Sequence, residues 1–320
     1  MLDNIVLQIM IGLSFIYAMY SLFTTIINEL IASLFSLRAR NLGRALKRML
    51  IDDDKTPLEK KLYENFYNHP LIKYMSTGKL HKRPSYITPE NFSKTMVDIL
   101  KGFDSIDLEE SIKKINEKLD ELGKKAGDSG WQSDTIKLLK SFLNDAGNNI
   151  EKFKTNLEKW FNDMMERASG WYKRQIQYIV LIIGLVLAIS FNVNTLEIVD
   201  RLSKDKNARD QILKLSENYV RNPAQYTNSD SVTANRFDLL VVRADSLYKA
   251  DIETANQIIG LGWKSWDDFT SHIWGNIFGC LITALAISLG APFWFDLLNK
   301  FVKLRGTGKK PEEETQKNKD

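Results

Sequence analysis

The 320-residue sequence predicts an all-α membrane protein with three transmembrane helices, a helical cytoplasmic domain and a smaller helical extracytoplasmic domain. Three observations predict this class: three long apolar segments, basic residues beside one end of each, and helical spacing of apolar residues in the two polar regions. The net charge of +4 is too small to indicate a nucleic-acid-binding protein. The single cysteine, Cys280, excludes an intramolecular disulfide and a multi-cysteine metal site.

The three apolar segments are long enough to cross the roughly 30 Å hydrocarbon core of a bilayer. The first lies in residues 1–37, and its core, 5–27, has no charged residue. The second covers 176–195 and the third covers 273–298. A helix buried in a soluble core is the alternative for each segment, and a signal peptide is a further alternative for the first. The acidic start and the length of the first segment argue against a signal peptide.

Basic residues mark one end of each apolar segment. They are Arg38, Arg40, Arg44, Lys47 and Arg48 after the first, Arg167, Lys173 and Arg174 before the second, and Lys300, Lys303, Arg305, Lys309 and Lys310 after the third. Because basic residues beside membrane spans stay in the cytoplasm, the N-terminus is expected outside and residues 38–175 inside. By the same rule, residues 196–268 are expected outside, and the C-terminal residues 299–320 are expected inside.

The cytoplasmic region, 38–175, has the pattern of a helical domain. Thr88 followed by Pro89 predicts the start of a helix, and Gly102 predicts its end. Two apolar stripes follow at helical spacing, one in residues 106–123 and one from Ile150 to Met164. The stripes fit either a bundle within the subunit or coiled-coil pairing between subunits. The second stripe continues toward the second apolar segment, so one helix over about 148–195 is an open alternative.

The outer region, 196–268, also has the pattern of helices. Asn194 with Glu197 three residues later resembles a capping box and predicts a new helix after the second span. A further helix is expected to end near Tyr219, and another is expected over residues 234–259. Little or no sheet is expected, because no segment alternates with a period of two. The charged tail after Gly306 is expected to be disordered.

The sequence gives no indication of enzymatic chemistry. Its three histidines, His69, His81 and His272, lack metal-binding spacing, and no phosphate-binding or nucleophile motif occurs. His272 at the outer mouth of the third segment is a weak candidate for binding. The run from Asp52 to Asp54 fits a solvated turn better than a calcium loop, which needs a central glycine and a closing glutamate. We therefore expect no catalytic residues, no metal and no cofactor.

Glu29 is a candidate functional residue, because it follows the uncharged core of the first apolar segment. An ionisable side chain at this depth either lies in the membrane interface or pairs with a cation on a neighbouring helix. The candidate cations are Lys173, Arg174 and Lys300.

The third apolar segment contains two features of helix packing. Gly275 and Gly279 are four residues apart, a spacing that lets helix backbones approach closely, either within one subunit or between subunits. Pro292 cannot bond to the Ser288 carbonyl and therefore predicts a kink. The kink is either a static bend or a gate.

Several blocks of the sequence occur together in a familiar order. They are His69–Ile72, Pro84–Ile87, Trp160–Phe161, Met165–Arg167, Ser169–Arg174, Asn192–Thr195, Gly260–Trp263 and Gly290–Asp296. Together they resemble a widespread family of uncharacterised bacterial inner-membrane proteins, over most of the chain except 103–147 and the tail. The resemblance implies a multi-pass protein of the bacterial inner membrane with an all-helical architecture. It brings no catalytic residue, ligand or cofactor.

Two of these blocks contain opposite charges that the predicted topology places at the same depth. Arg167 to Arg174 precede the second span, and Asp296 ends the third on the same predicted side. A contact between Asp296 and an arginine of the first block is therefore geometrically allowed.

Two functions remain open at this stage. The first is a non-enzymatic membrane anchor or scaffold that recruits a protein partner through the cytoplasmic domain. The alternative is a homo-oligomeric pore or channel, with a stress or phage-defence effector as one biological setting. Both place the protein in a lipid bilayer without nucleic acid, and they differ in whether several copies must assemble.

Overall fold

The computed structural model describes residues 4–51, 57–75, 83–103, 107–125, 134–147, 149–221, 237–262 and 273–306. Every regular element within these ranges is a helix, which confirms the all-α prediction. The chain divides into two compact units. Unit 1 combines Met1–Leu34 with Gln175–Asp320, and unit 2 is Phe35–Arg174.

Unit 2 is a helical bundle. Its helices are α2 (Leu37–Leu50), α3 (Pro57–Asn68), α4 (Pro70–Lys73), α5 (Pro89–Lys101), α6 (Leu108–Lys125), α7 (Asp134–Asp145) and the first part of α8 (Ile150–Ser190). The predicted cap of α5 is confirmed, because the Thr88 hydroxyl accepts a hydrogen bond from the Asn91 amide at 3.2 Å. Gly102 ends this helix with a φ of 81°, which a residue without a Cβ adopts easily.

The apolar stripes of α6 and α8 meet inside unit 2. Ile115 and Leu119 of α6 lie in the same buried cluster as Phe153, Leu157 and Phe161 of α8. Phe92 of α5 joins this cluster, where it stacks on Phe161 with 4.7 Å between the ring centroids. Both stripes therefore find their packing partners within the subunit, as expected for a local bundle.

Unit 1 is built around helix α1 (Ile5–Leu34). Its other elements are the last part of α8, α9 (Thr195–Lys204), α10 (Lys206–Arg221), α11 (Phe237–Leu247), a π-helical turn (Tyr248–Ile252), α12 (Glu253–Ile259), α13 (Ile273–Ser288) and α14 (Ala291–Gly306). Helix α1 packs most extensively against α14, and also against α9, α10, α11 and α13. Ile11, Phe15 and Ile16 are at most 2% exposed, so protein rather than lipid surrounds much of α1.

The structure contains two helices that are long and apolar enough to cross a membrane, α1 and α8. A third crossing exists only if α13 and α14 together form one broken span, because the two helices are bent by 94°. The predicted third span, 273–298, is therefore not one continuous helix. The break lies at Gly290, with a φ of 91°, and Pro292 is the second residue of α14.

An ion pair within unit 1 bears on the predicted topology. A guanidinium nitrogen of Arg305, at the end of α14, lies 2.8 Å from a carboxylate oxygen of Glu217 in α10. The sequence predicted opposite sides of the membrane for these two residues, and this orientation stays a prediction. The 94° bend between α13 and α14 fits either one broken span or a re-entrant pair.

Candidate functional site: a polar seam on helix α1

Polar residues line one face of the otherwise apolar helix α1. Ser14, Tyr17, Ser21, Thr24 and Asn28 are separated by three or four residues, so they share a face. All five are at most 7% exposed. Buried polar groups are costly unless they are hydrogen-bonded, so the partners along this seam show how unit 1 is organised.

Three hydroxyl groups form a chain near the middle of the seam. The Tyr17 and Thr195 hydroxyl oxygens are 2.8 Å apart, and those of Thr195 and Thr283 are also 2.8 Å apart. The Thr283 hydroxyl also lies 2.6 Å from the Val193 carbonyl and accepts a hydrogen bond from the Thr195 amide at 3.2 Å. This chain joins α1, the start of α9 and α13, and the sequence analysis did not identify it.

Asn194 connects the start of α9 to α13. Its side-chain oxygen accepts a hydrogen bond from the Leu196 amide at 3.0 Å, which confirms the predicted N-cap. Its amide nitrogen donates to Glu197 Oε1 and to Asn276 Oδ1, each at 3.3 Å. Gly279 has no side chain, so α13 leaves room for the Asn194 side chain. A Cβ at position 279 would collide with that side chain.

The two glycines of the predicted packing motif have different surroundings. Gly279 is buried against Asn194, so its packing lies within the subunit. A Cβ added at Gly275 would meet nothing within 4 Å. A glycine that the sequence analysis missed, Gly184 of α8, approaches Ala284 of α13, since a Cβ there would lie 3.4 Å from the Ala284 carbonyl oxygen.

A buried arginine ties the start of α1 to α9 and α10. Arg209 is 7% exposed, and its Nε donates to Gln8 Oε1 of α1 at 2.9 Å. A guanidinium nitrogen of Arg209 also donates to the Leu202 carbonyl at 2.6 Å, in the last turn of α9. The negative end of a helix dipole stabilises a cation in this position. No local sequence pattern pairs Arg209 with Gln8 or with the Leu202 carbonyl.

The seam continues past Tyr17 to the break between α13 and α14. The Ser21 hydroxyl donates to the Ile287 carbonyl at 3.0 Å, three residues before Gly290. The Thr24 hydroxyl, one turn further along α1, and the Asn28 side-chain oxygen, two turns further, are buried without a hydrogen-bond partner among the described residues. Burying such a group without a hydrogen bond lowers the stability of the fold by about 1–3 kcal/mol. This end of the seam therefore differs from the middle, where the hydroxyl groups are hydrogen-bonded.

The remaining candidate residues lie outside the seam. Glu29 is half-buried on α1, and Pro292 and Asp296 are exposed on α14 of unit 1. Exposed side chains on α8 of unit 2 include Arg167, Lys173 and Arg174. The pairings of Glu29 with Lys173, Arg174 or Lys300, and of Asp296 with an arginine of 167–174, stay predictions.

Some sequence-based interpretations fall outside the described residues. They are those for His81, His272, Asp52–Asp54 and the tail after Gly306. Within the part of the chain that the structure describes, no three His, Cys, Asp or Glu side chains are grouped as a metal site would require.

Comparison with other proteins finds no match among protein-family models, curated proteins or solved structures.

Proposed function

We propose that the protein is a non-enzymatic integral membrane anchor or scaffold whose unit 2 recruits a protein partner. The supporting observation is the composition of α8, a single helix of 41 residues, about 60 Å long. Its first part contributes Phe153, Leu157 and Phe161 to the buried core of unit 2. Its last part has an exposed apolar face, consisting of Tyr178, Ile182, Val186 and Ile189. One helix thus joins a water-soluble type of bundle to a lipid-contacting segment.

The topology that we propose has unit 2 in the cytoplasm of a bacterium and two crossings of the inner membrane, by α1 and α8. The N-terminus lies outside, and so do residues 195–262. The basic residues beside α1 and α8 support this orientation. The ion pair between Glu217 and Arg305 supports an α13–α14 pair that enters and leaves at the outer face, so the end of α14 lies outside.

Unit 2 has exposed aromatic side chains that are candidates for binding a protein partner. Tyr74, Tyr86 and Phe103 are 81%, 67% and 68% exposed. Large aromatic residues are enriched where protein partners bind. We propose that these exposed side chains contribute to binding of the protein partner.

The test is affinity purification of the full-length protein from membranes in a gentle detergent. We expect one stoichiometric partner with the natural sequence, and loss of that partner in the variant Tyr74→Ser, Tyr86→Ser, Phe103→Ser. A matched control changes three exposed lysines of unit 2, Lys113, Lys137 and Lys152, to Ser. Purification of the natural protein alone would contradict the scaffold, and equal loss in both variants would contradict this partner surface.

A second candidate function is a homo-oligomeric pore, and the polar seam of α1 favours it. Thr24 and Asn28 carry oxygens without a hydrogen-bond partner among the described residues, close in sequence to Ser21, which contacts the end of α13. Interrupted helices and uncompensated polar groups at membrane depth are features of ion and solute pathways. Several subunits are needed, because two crossings cannot enclose a polar path.

Ion flux into liposomes that contain the purified protein tests the pore. We expect flux that falls in Thr24→Val and Asn28→Leu, which remove these side-chain oxygens. The matched control is Thr25→Val, because Thr25 is exposed and its hydroxyl donates within its own helix, to the Ser21 carbonyl at 2.9 Å. Absence of flux across several ions and voltages would eliminate the pore, and equal flux in all variants would exclude the seam as its path.

A further inference from the structure

We propose that unit 2 binds the headgroups of anionic phospholipids on a basic surface formed by α2 and α8. This inference deepens the proposed membrane anchor and rests on it. We use the name basic juncture for the residues Arg40, Arg44, Lys47, Arg48, Arg167, Lys173 and Arg174. All seven belong to unit 2.

Helix α2 is strongly amphipathic. Leu42, Leu46, Met49 and Leu50 are at most 6% exposed and belong to the core of unit 2. The opposite face carries basic side chains at positions i, i+4, i+7 and i+8, which are Arg40, Arg44, Lys47 and Arg48. All four are exposed. The packing of the apolar face therefore determines where the basic face points.

Two contacts fix α2 beside α8 within unit 2. The Asn41 side-chain amide donates to the Ala168 carbonyl at 3.1 Å. The Arg48 guanidinium lies over the ring of Trp171, with 4.5 Å between the guanidinium carbon and the ring centroid. Such a cation–π contact holds the arginine in place without neutralising its charge. The basic residues of the two helices thus form one surface.

The basic juncture contains little negative charge. Residues 35–51 include no Asp or Glu, and residues 167–196 include none either. Asp163 and Glu166 are exposed acidic neighbours on α8, and Asp52–Asp54 follow α2 in the sequence, outside the described residues. The seven basic residues outnumber these five acids, so the surface attracts anions at short range, with a strength that falls as salt is added.

The position of the surface identifies the membrane as its partner. On α8, the exposed apolar face begins at Tyr178, four residues after Arg174. Trp171 and Tyr172 lie between the arginines and that face, and such aromatic residues are enriched at the boundary between headgroups and acyl chains. Along α8, the basic residues, the aromatic residues and the apolar face thus follow one another in the same order as the phosphates, the interface and the hydrocarbon core of a bilayer. An anionic headgroup layer matches this order, whereas a soluble anion needs only the charge.

The test measures lipid binding by the full-length protein in a neutral detergent. The thermal midpoint of unfolding is followed while phosphatidylglycerol, phosphatidylcholine or inorganic phosphate is added. We expect stabilisation by phosphatidylglycerol, little by phosphatidylcholine and little by phosphate. In the variant Arg40→Gln, Arg44→Gln, Lys47→Gln, the half-saturating concentration of phosphatidylglycerol should rise of order 100-fold, since each basic residue near an anionic surface contributes about fivefold.

The matched control removes three charges elsewhere in unit 2, by Lys113→Gln, Lys137→Gln and Lys152→Gln. We expect this control to bind phosphatidylglycerol within about twofold of the natural protein, because its residues lie outside the basic juncture. The single variants Arg40→Gln and Lys47→Gln provide the same measurement if the triple variant does not fold. Equal weakening in both triple variants, equal binding of both lipids, or full competition by inorganic phosphate would each overturn the proposal.

Cell fractionation separates this proposal from the membrane anchor itself. A chain that stays in the soluble fraction refutes both. A chain that stays in the membrane fraction but has no preference for phosphatidylglycerol refutes only the headgroup site.

Discussion

Helices α1 and α8 are both long and apolar, yet their surroundings differ. In an apolar 18-residue segment of α1, 61% of the residues are buried within the protein. In the corresponding segment of α8, 22% are buried. Helix α1 also carries the polar seam, whereas the exposed face of α8 consists of Tyr178, Ile182, Val186 and Ile189. Apolar length therefore indicates that a helix can enter a membrane, and polar residues at helical spacing indicate which side faces protein.

The two units also differ in the polar groups that they bury. Unit 1 buries mainly neutral hydroxyl and amide groups along α1, together with Arg209. Unit 2 buries His69, a group that changes its charge near neutral pH. The two units should therefore respond differently to mutation and to pH.

The largest expected effect concerns the side of the membrane on which α14 ends. In a Cys280→Ala background, Lys204→Cys on α9 and Leu304→Cys on α14 should both react with a membrane-impermeant thiol reagent on spheroplasts. Lys113→Cys in unit 2 should react only after permeabilisation. The reason is the Glu217–Arg305 contact, which requires α10 and the end of α14 to share a side. Protection of position 304 with labelling of position 204 would restore the three-span topology.

A second test compares the burial of α1 and α8 directly. Ile11 is 0% exposed and Ile182 is 61% exposed. Ile11→Ala should lower the free energy of unfolding by roughly 3 kcal/mol, because it leaves a cavity among protein side chains. Ile182→Ala should cost less than about 1 kcal/mol. Reversible unfolding in mixed micelles measures both, and equal losses would mean that the two helices have similar surroundings.

A third test uses the two glycines of α13. Gly279→Ala should displace Asn194, remove the cap of α9 and cost about 2 kcal/mol. Gly275→Ala adds the same methyl group to the same helix in open space and should be neutral or slightly stabilising. The thermal midpoint in detergent measures the difference. If the Gly275 variant were the less stable one, the important packing would involve a second molecule.

Local features of the fold were predictable from sequence, because neighbouring residues determine them. Thr88 and Asn194 cap their helices through amides two or three residues away. The stripe from Ile150 to Met164 is visible from its spacing alone, and so are the five polar positions of α1. A helix end or face is decided within one or two turns, so a sequence window contains the information.

Long-range features could not be predicted in the same way. Thr195 and Thr283 complete the polar seam from positions far along the chain, and no local pattern pairs them with Tyr17. Pro292 indicated a kink, but nothing near it specified a 94° break. Counting basic residues beside the third segment treated Arg305 as an unpaired charge, whereas Glu217 of another helix pairs with it. This pairing is the reason why we propose a re-entrant α13–α14 pair instead of a third crossing.

The smallest expected effect concerns the pH response of unit 2. His69 stacks on Phe103, with 5.2 Å between the ring centroids, and lies 3.6 Å from Asp98. Burial lowers the pKa of His69; the Asp98 carboxylate opposes this shift and the Lys94 ammonium adds to it. The folded protein therefore keeps His69 neutral at a pH where the unfolded chain, with a pKa near 6.5, already binds a proton.

The free energy of unfolding of unit 2 should consequently fall as the pH drops below about 6.5, by at most about 1.4 kcal/mol per pH unit for this one group. The stabilisation is complete above that pH, because both states are then neutral at His69. His69→Gln should remove this part of the pH dependence. Asp98→Asn should enlarge it, because the carboxylate that favours the charged histidine is lost. Thermal unfolding of the full-length protein at pH 7.5 and 5.5 measures all three, and a Gln variant that follows the natural protein at both values would show that His69 does not control the response.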